Sequence, residues 1–261
     1  MLPLLPLDNE IRVWRLSLDL PPNLLACCEA VLAEDERLRI SRLQRPGHRR
    51  RAVAARGQLR WLLAHGLGVA PQALSFGREP RGKPYLLDHP LRFNLSHSGD
   101  CLLVALAWDG RLGVDVEQVR VLPRMAALAG RCFAPQEYQT WQAAGARGDD
   151  FFRLWTLKEA FVKADGRGLA LGLERCRFDL HPPRLVAAPP DCGRVAAWQV
   201  HAWSPARGWQ AALCVHGGGG RLVTGMLAPE RLLSGAQAAA GEGVEDGGGA
   251  FEAAERAGDR Q

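Results

Sequence analysis

The chain has 261 residues, of which 33 are cationic and 28 acidic, so its formal net charge is +5. With 47% hydrophobic and 23% charged residues, its composition is typical of a globular protein that buries a sizeable core in one or two domains. The longest apolar run, residues 101–108, is far too short to span a bilayer. Composition and hydropathy therefore exclude a chain built on membrane-spanning helices.

The cysteine and histidine patterns disfavour a structural zinc site. The seven Cys contain no CxxC spacing, and none of the seven His pairs at HxxxH spacing. Scattered free thiols fit a reducing cytoplasm. The first eight residues contain two Pro and no basic segment, so we expect no signal peptide.

The positive charge is distributed unevenly. Thirty of the 33 cations are Arg, and the three Lys are Lys83, Lys158 and Lys163. Nine Arg and no acidic residue lie in the segment 37–60, whereas six acidic residues and two Arg lie in 241–261. We therefore expect an anionic partner to meet the segment 37–60.

Hydrophobic periodicity and turn residues predict a mixed α/β chain. In chain order, we expect a strand over Ile11–Leu18, helices over Leu24–Leu43 and Arg49–Leu67, strands over Cys101–Ala107 and Leu112–Val116, helices over Pro135–Ala144 and Asp150–Lys163, a connection over His181–Pro190, and a final hairpin of Val195–Trp203 and Trp209–Val215. Pro46-Gly47 is expected to break the chain between the first two helices. Asp109-Gly110 predicts a hairpin that pairs the two strands around it.

This order of elements predicts two similar α/β halves, residues 1–112 and 113–234, although no residue-level repeat supports a duplication. Residues 235–261 are rich in Ala, Gly and Glu and contain almost no large apolar residues. Such a composition cannot bury enough apolar surface to fold, so we predict that this segment is a disordered acidic tail.

Two carboxylates lie close together in Gly113-Val-Asp-Val-Glu117. On a strand, Asp115 and Glu117 point to the same face. Carboxylates this close raise each other's pKa unless a cation lies between them, and Mg²⁺ prefers such oxygen ligands. An edge strand with a solvated polar face explains the spacing equally well.

A second motif is the largely apolar segment 151–163, in which Trp155, Glu159 and Lys163 fall on one helical stripe. A carboxylate beside an ammonium on such a helix is a candidate base and phosphate ligand. The alternative is an exposed Glu–Lys pair that contributes little. Two of the three Lys lie in this segment, which favours the functional interpretation.

A third motif is the polar cluster Phe93-Asn-Leu-Ser-His-Ser98. Ser96, His97 and Ser98 could donate hydrogen bonds to phosphate oxygens, or they could form a local turn. The sequence contains no GxSxG elbow, which disfavours a serine hydrolase.

The fourth motif is the basic segment Arg78-Glu-Pro-Arg-Gly-Lys-Pro-Tyr85. Gly82 allows a ligand to approach the backbone closely, and Arg81 and Lys83 place cations beside it. The spacing of a Walker P-loop is absent, so this segment alone indicates only a basic turn.

Together and in this order, the four motifs resemble those of the 4′-phosphopantetheinyl transferases. The matching segments are Gly82-Lys-Pro84, Phe93-Asn-Leu-Ser-His-Ser98, Gly113-Val-Asp-Val-Glu117 and Trp155-Thr-Leu-Lys-Glu-Ala-Phe-Val-Lys163. The two-half length and the opening strand with Val13-Trp14 are similar to the larger, monomeric Sfp-type branch. The resemblance covers residues 11–215 and implies an α/β (α+β) fold of two similar halves packed as a pseudo-twofold pair.

The resemblance also implies an activity, namely transfer of the 4′-phosphopantetheine of coenzyme A (CoA) to a Ser of an apo carrier protein, with release of adenosine 3′,5′-bisphosphate. By motif position, Asp115, Glu117 and Glu159 would hold Mg²⁺, or Mn²⁺ in its place, against the CoA pyrophosphate. Glu159 would also take the proton of the carrier Ser, directly or through a water. Lys163 would bind the phosphate under attack and balance charge on the leaving group.

The resemblance further implies a binding site for CoA as co-substrate. The residues implied are Arg39, Arg51, Arg81, Lys83, Pro84, Ser96, His97 and Lys163. Arg81 would lie near the 3′-phosphate, and whether Arg39, Arg42 or Arg51 also meets it is left open, because the Arg run fits more than one register. Lys158 would support its helix. The expected partners are acidic acyl or peptidyl carrier proteins, with no nucleic acid or membrane, and the expected form is a cytoplasmic monomer.

Three alternatives remain open from the sequence. A nucleic-acid-binding module could use the basic segment 37–60, although the carboxylates of 113–117 would repel a phosphate backbone without a metal. Another Mg²⁺-dependent phosphotransferase would need a different acceptor, and no Walker, kinase or Rossmann fingerprint supports one. A carrier-protein binder without catalysis is disfavoured because the candidate catalytic residues are intact.

Overall fold

The structure is a computed structural model and describes residues 3–234. The helices are α1 (Pro22–Ala30), α2 (Glu34–Ser41), α3 (Pro46–Leu67), α4 (Met125–Cys132), α5 (Pro135–Ala143) and α6 (Gly148–Asp165). The strands are β1 (Glu10–Ser17), β2 (Phe76–Arg78), β3 (Pro84–Leu86), β4 (Arg92–Ser98), β5 (Cys101–Ala107), β6 (Arg111–Gln118), β7 (Arg177–Leu180), β8 (Pro183–Ala187), β9 (Trp198–Trp203), β10 (Trp209–His216) and β11 (Arg221–Met226).

The strands form two sheets and two separate hairpins. The first sheet has the order β11-β1-β5-β4, and the second has the order β6-β10-β9. β2 pairs with β3, and β7 pairs with β8. β11 runs parallel to β1, and the other paired strands are antiparallel.

The two sheets pack face to face, and helices cover their outer faces. Alternate residues of β1, β5, β6 and β10, such as Val13 and Val114, form a buried apolar layer between the sheets. The outer face of the first sheet packs on α1 and α3, where Leu59 is fully buried. The outer face of the second packs on α6, where Leu157 is fully buried. The molecule therefore has four layers, helix, sheet, sheet and helix.

The two halves repeat the same order of elements. β1, α3, the β2-β3 hairpin, β4 and β5 correspond to β6, α6, the β7-β8 hairpin, β9 and β10. In both sheets the last of these strands lies between the other two. The prediction of an α+β fold with two similar halves is confirmed. The boundaries 1–112 and 113–234 stay a prediction, and β11 adds a strand from the C-terminal half to the first sheet.

The predicted hairpin at Asp109-Gly110 is wrong. β5 pairs with β1 and β4, whereas β6 pairs with β10, so this turn carries the chain from one sheet to the other. Gly110 has a φ of 79°, a left-handed conformation that Gly adopts without strain. The apolar residues of the two strands meet face to face between the sheets, and a local sequence pattern does not distinguish this arrangement from pairing within one sheet.

The predicted helix Leu24–Leu43 is in fact two helices, α1 and α2. The Glu36 carboxylate accepts a hydrogen bond from the N–H of Ala33 at 3.0 Å, which caps the start of α2. Pro46, expected only to break the chain, is the first residue of α3, because a Pro there removes an N–H that has no helical partner anyway.

Other differences concern short elements. The segment 181–190, predicted to be a connection, contains β8, which pairs with β7. The sequence reasoning missed α4, β4, β7 and β11, and also the hairpin β2-β3. The remaining predicted helices and strands are confirmed, with ends that differ by at most about three residues, as expected for boundaries.

Two further observations complete the fold. The tail predicted over residues 235–261 lies outside the described residues. Within residues 3–234, the structure contains no helix that combines the length and the apolar character needed to cross a membrane.

Candidate active site

The two halves meet along a polar seam between the edge strands β4 and β6. Ser96 Oγ donates to Asp115 Oδ1 at 2.7 Å, and Ser98 Oγ donates to Glu117 Oε2 at 2.7 Å. Alternate residues of β4 thus reach the alternate carboxylates of β6. The prediction that Asp115 and Glu117 share one face of a strand is confirmed, and that face is turned toward α6.

Gly113 allows α6 to approach β6 closely. A Cβ at this position would lie 2.1 Å from the carbonyl oxygen of Ala160 and 2.4 Å from the backbone N of Ala164. Any side chain would therefore push the helix away from the strand. The close packing brings Glu159 and Lys163 of α6 beside the carboxylates of β6.

The Lys163 ammonium joins the two halves at this seam. It donates to Asp115 Oδ1 at 2.7 Å, to Ser96 Oγ at 2.8 Å and to the carbonyl of Val114 at 3.3 Å. Burial raises the pKa of Asp115, although Lys163 and Ser96 act in the opposite direction. The second oxygen, Asp115 Oδ2, is buried and has no hydrogen-bond partner among residues 3–234. An unpaired buried acceptor is costly, so this atom is suited to receive a ligand.

Glu159 lies one turn before Lys163 on α6 and is half-buried. Burial raises its pKa, and the charges of Asp115 and Glu117 raise it further, while Lys163 opposes them. The raised pKa of Glu159 comes from burial and neighbouring charges, and hydrogen bonds do not contribute to it. A carboxylate with a raised pKa and a free acceptor is a candidate general base.

The three carboxylates are neighbours but do not form a closed ligand set. Asp115 is bonded to Lys163, and Glu117 accepts a hydrogen bond from Arg120 at 3.0 Å as well as one from Ser98. In the part of the chain that the structure describes, no group of three or more His, Cys, Asp or Glu side chains is placed to hold a metal ion.

A cleft of about 280 Å³ runs past Glu159 and Lys163. Its other wall consists of Arg81, Gly82, Lys83 and Pro84 from the turn between β2 and β3, with Asn94 and Leu95 of β4. The fold thus brings the basic turn, the polar strand and the apolar helix together, although they are far apart in the sequence. A larger cleft of about 520 Å³ lies between α5 and the β7-β8 hairpin, and its lining includes none of the predicted site residues.

Known families and proteins match both halves of the chain. The family described as "4′-phosphopantetheinyl transferase superfamily" matches residues 111–214, and the one described as "4′-phosphopantetheinyl transferase, N-terminal" matches residues 22–108. The 4′-phosphopantetheinyl transferase HetI of Nostoc sp. is 39% identical over 221 residues, which cover 78% of this chain and 91% of that protein. The chain belongs to the 4′-phosphopantetheinyl transferase superfamily.

Two further proteins are similar to parts of this chain. A putative 4′-phosphopantetheinyl transferase of Synechocystis sp. is 37% identical over 194 residues, which cover 72% of this chain and 78% of that protein. The crystal structure of Thermotoga maritima holo-[acyl-carrier-protein] synthase matches 43% of this chain and 64% of that chain, with 26% identity and a TM-score of 0.36. The second likeness is too partial to support a conclusion. The predicted family is confirmed, and the nucleic-acid-binding and other phosphotransferase alternatives find no support.

In this member of the superfamily, Lys83 lines the cleft, but its ammonium is already bonded. It donates to the carbonyl of Leu112 at 2.8 Å and to the carbonyl of Lys163 at 2.8 Å. Burial lowers the pKa of Lys83. Pro84 lies beside it at the start of β3 and lines the same cleft.

Arg51 and His97 do not line the cleft. Arg51 of α3 donates from Nε to Asp100 Oδ1 at 2.8 Å. His97 is on β4, on the face opposite Ser96, because side chains alternate along a strand. Desolvation, followed by the charges of Lys163 and Arg51, lowers the pKa of His97.

Arg39 lies on α2, where it pairs with Asp35 at 2.6 Å. Burial lowers the pKa of the nearby helix residue Arg56, Glu36 opposes this effect, and Arg78 and Arg39 add to it. Arg78 donates to the carbonyl of Gly82 at 2.8 Å. Arg39 does not line the cleft.

Lys158 lies outside the cleft, as the sequence predicted for a residue that supports the helix. It is fully buried, and its ammonium pairs with Glu137 of α5 at 2.7 Å. It also donates to the carbonyls of Leu173 at 2.9 Å and Cys176 at 2.5 Å. These contacts tie α6 to the segments around it.

Sequence reasoning did not identify Asn94 and Gly113 as residues that position the site. The N–H of Val114 donates to Asn94 Oδ1 at 2.9 Å, which continues the seam beyond Ser96 and Ser98. The polar residues at every second position of β4 were the available signal, because they indicate a strand edge with a polar face. Nothing in the sequence alone indicates the contact between Gly113 and α6.

Proposed function

We propose that the cleft binds CoA and that its carboxylates and Lys163 carry out the transfer of 4′-phosphopantetheine to a Ser of an apo acyl or peptidyl carrier protein. The class of activity follows from the superfamily to which the chain belongs. The observation that carries the residue-level proposal is the bonded cluster of Lys163, Asp115 and Ser96 beside Glu159. The products are holo carrier protein and adenosine 3′,5′-bisphosphate.

Asp115, Glu117 and Glu159 would hold Mg²⁺, with Mn²⁺ as the alternative ion. Two observations support the fit, namely the set of carboxylate oxygens and the buried Asp115 Oδ2, which is unpartnered among residues 3–234. A cation between the carboxylates would relieve the repulsion that contributes to the raised pKa values of Asp115 and Glu159. When bound, the ion supplies charge neutralisation for the CoA pyrophosphate.

Glu159 accepts the proton of the carrier Ser hydroxyl, directly or through a water. Its raised pKa makes it a stronger base than an exposed Glu, and no hydrogen bond to its carboxylate contributes to that shift. The Ser oxygen then forms a bond to the phosphorus on the pantetheine side, and the bond from that phosphorus to the bridging oxygen breaks. The electron pair of the broken bond leaves with adenosine 3′,5′-bisphosphate.

Lys163 binds the phosphate under attack and balances the charge that develops on the leaving group. Its side chain is 29% exposed and lines the cleft, so a ligand in the cleft can contact it. The bonds to Asp115 and Ser96 hold the ammonium in place before CoA arrives. A preorganised cation in a partly desolvated site stabilises developing negative charge more than the same charge in water.

Cations around the cleft bind the remaining phosphate groups of CoA. Arg81 lines the cleft and is exposed, so its guanidinium is available to a ligand. Arg39 or Arg51 meets the 3′-phosphate, with His97 beside Arg51. Pro84 and Ser96 complete the site, and Lys83 lies in the same wall of the cleft.

Acidic carrier proteins approach the segment 37–60, which carries nine Arg and no acidic residue. Attraction between opposite charges raises the rate of association and weakens with salt. The chain acts as a cytoplasmic monomer of the larger Sfp-type branch, and neither nucleic acid nor a membrane is a partner.

Mass spectrometry of carrier proteins tests the proposal. The protein is incubated with CoA, Mg²⁺ and a panel of apo carriers from fatty-acid, polyketide, nonribosomal-peptide and aminoadipate-reductase systems. We expect a phosphopantetheine adduct on at least one carrier, and none when the carrier Ser is replaced by Ala or when EDTA removes Mg²⁺. Folded protein that modifies no carrier in the panel would contradict the proposal.

A further inference from the structure

We infer that Lys83 is a positioning residue, whose ammonium ties the turn 79–83 to the last turn of α6 and to β6, and thereby fixes Lys163 against Asp115. This inference rests on the proposed function of the cleft. It differs from the role that the family resemblance implies for Lys83, which is a direct contact with CoA.

The two carbonyls that Lys83 binds belong to the two elements that carry the site. The first, at 2.8 Å, is the carbonyl of Leu112, which precedes Gly113 on β6. The second, also at 2.8 Å, is the carbonyl of Lys163 itself, in the last turn of α6. One nitrogen atom from the first half thus joins a strand and a helix of the second half.

The end of α6 explains why a cation is favourable there. The last four carbonyls of an α-helix have no partner within the helix, and α6 ends at Asp165, so the carbonyl of Lys163 is one of them. The C-terminal end of a helix also carries partial negative charge, which favours a nearby ammonium. Lys83 therefore caps α6 from the other half of the molecule.

The shape of the ammonium matters as well as its charge. A Lys ammonium places three donors on one compact nitrogen, so two converging carbonyls can share it. A terminal guanidinium nitrogen can also donate to two carbonyls, as Nη1 of Arg60 does to those of Pro71 and Leu74, but a guanidinium is larger and planar. The chain uses Arg for 30 of its 33 cations, and Lys stands at this convergence of carbonyls, as it does at position 158.

The neighbouring cation Arg81 provides the contrast. It lines the same cleft and is exposed, whereas Lys83 has two of its three donors bound to backbone carbonyls. We therefore assign CoA binding to Arg81 and the alignment of Lys163 to Lys83. The two residues are two positions apart, so matched substitutions separate the two roles.

The experiment compares Lys83→Met with Arg81→Met. The dissociation constant of CoA is measured by calorimetry with Mg²⁺ and without carrier, and kcat is measured with a carrier that the wild type modifies. For Lys83→Met we expect kcat to fall by about 10-fold or more, as for the loss of hydrogen bonds from a charged group, with CoA affinity within about 2-fold of wild type. For Arg81→Met we expect the reverse, a dissociation constant raised about 10-fold with kcat nearly unchanged.

Two additional variants keep the test decisive. Lys83→Arg keeps the charge and can donate to both carbonyls from one nitrogen, as Arg60 does, so we expect it to retain more of kcat than Lys83→Met. If Lys83→Met does not fold, Lys83→Ala is assayed with added propylammonium, which should raise kcat by filling the vacated position. The same amine should not change kcat of Arg81→Ala.

The outcomes separate this inference from the proposed function. A weaker affinity for CoA with unchanged kcat in Lys83→Met would make Lys83 a CoA ligand and overturn the inference alone. Unchanged kcat and affinity would also overturn it, as would a Lys83→Ala variant that does not respond to propylammonium. A wild-type protein that modifies no carrier would instead overturn the proposed function.

Discussion

The two halves share one framework but differ in the layer between helix and sheet. In the first half, the pairing of β1 with β5 ends at Ser17, and in the second half the pairing of β6 with β10 ends at Gln118. Three residues before these ends lie Trp14 of β1 and Asp115 of β6, which therefore occupy equivalent positions. Trp14 is 3% exposed in an apolar cluster under α1 and α3. Asp115 is equally buried, yet it bonds to Ser96 and a Lys of α6.

The framework common to both halves includes a buried ion pair. Glu36 of α2 pairs with Arg60 of α3 at 2.7 Å, and Glu137 of α5 pairs with Lys158 of α6 at 2.7 Å. Each Glu also accepts a bond from the backbone N–H that precedes its own helix, at 3.0 Å and 2.6 Å. Each cation donates to two carbonyls that follow the long helix, which are those of Pro71 and Leu74 and those of Leu173 and Cys176.

This comparison shows at which positions of the shared framework the second half carries its candidate catalytic groups. The residue after the buried cation is Trp61 in α3 and Glu159 in α6, and four residues further on lie His65 and Lys163. The ion pair holds each long helix on its sheet. The second half then carries charged groups at positions where the first half carries aromatic ones.

The largest expected effect comes from removing the proposed base. We predict that Glu159→Gln lowers the transfer rate by about 10²- to 10⁴-fold, the usual contribution of general acid–base catalysis. Carrier modification is followed by mass spectrometry, and folding by circular dichroism. The matched control is Trp61→Phe in the first half, which should lose only the 3.4 Å bond to Cys27 and keep its activity. Equal losses in the two variants would contradict the assignment of the site to the second half.

Breaking either ion pair should cost the next largest amount. We predict that Lys158→Met lowers the free energy of unfolding by about 3–5 kcal/mol, because it leaves the buried Glu137 carboxylate without its cation. Arg60→Met should lower it by less, because Arg56 still pairs with Glu36 at 3.1 Å. Urea denaturation measures both. Below the melting temperature, Lys158→Met should also slow transfer, because α6 carries the site, whereas Arg60→Met should not. If only Arg60→Met slowed transfer, the site would depend on α3 of the first half and not on α6.

A smaller effect is expected from Gly113→Ala. The added methyl group would overlap Ala160 and Ala164 of α6, so we predict a loss of about 1–3 kcal/mol in the free energy of unfolding, with slower transfer. The matched control is Gly130→Ala in α4, whose nearest neighbour would be Tyr138 at 3.8 Å. That change should stabilise the protein by about 0.5–1 kcal/mol, because Ala favours the helix. A Gly113→Ala protein as stable as the control would show that α6 does not need this close approach.

The smallest expected effect is on the pH dependence of stability. The folded-state pKa of Glu159 lies above the ordinary 4.5, so its stabilising contribution is present below pH 4.5 and is lost as the pH rises through the raised value. Glu159→Gln has no titrating carboxylate at this position, so it does not lose this stability as the pH rises. With EDTA present, its melting temperature relative to wild type should therefore increase from pH 4 to pH 7. A relative decrease would mean that the carboxylate is stabilised in the folded state.

The helices and strands with strong local signals could be predicted from the sequence. β1, α3, α5, α6, β9 and β10 follow from periodicity, and the family follows from four motifs in order. The hairpin at Asp109-Gly110 could not be resolved in this way, since an Asp-Gly turn leads equally well to a paired strand and to a strand in a second sheet. β11 pairs with β1 more than 200 positions away in the chain, a contact that no local pattern specifies.

The candidate site, like the fold, could be predicted from the sequence only in part. The sequence by itself determined which residues have the required chemistry, because strand alternation places Asp115 and Glu117 on one face and helical spacing aligns Glu159 with Lys163. Only the tertiary structure decided which atoms meet. Gly113 gives α6 room to approach β6, the seam joins Ser96 to Asp115, and Lys83 bonds to carbonyls of both elements. These contacts join segments distant in the chain, and they depend on the packing of two sheets, which local periodicity does not encode.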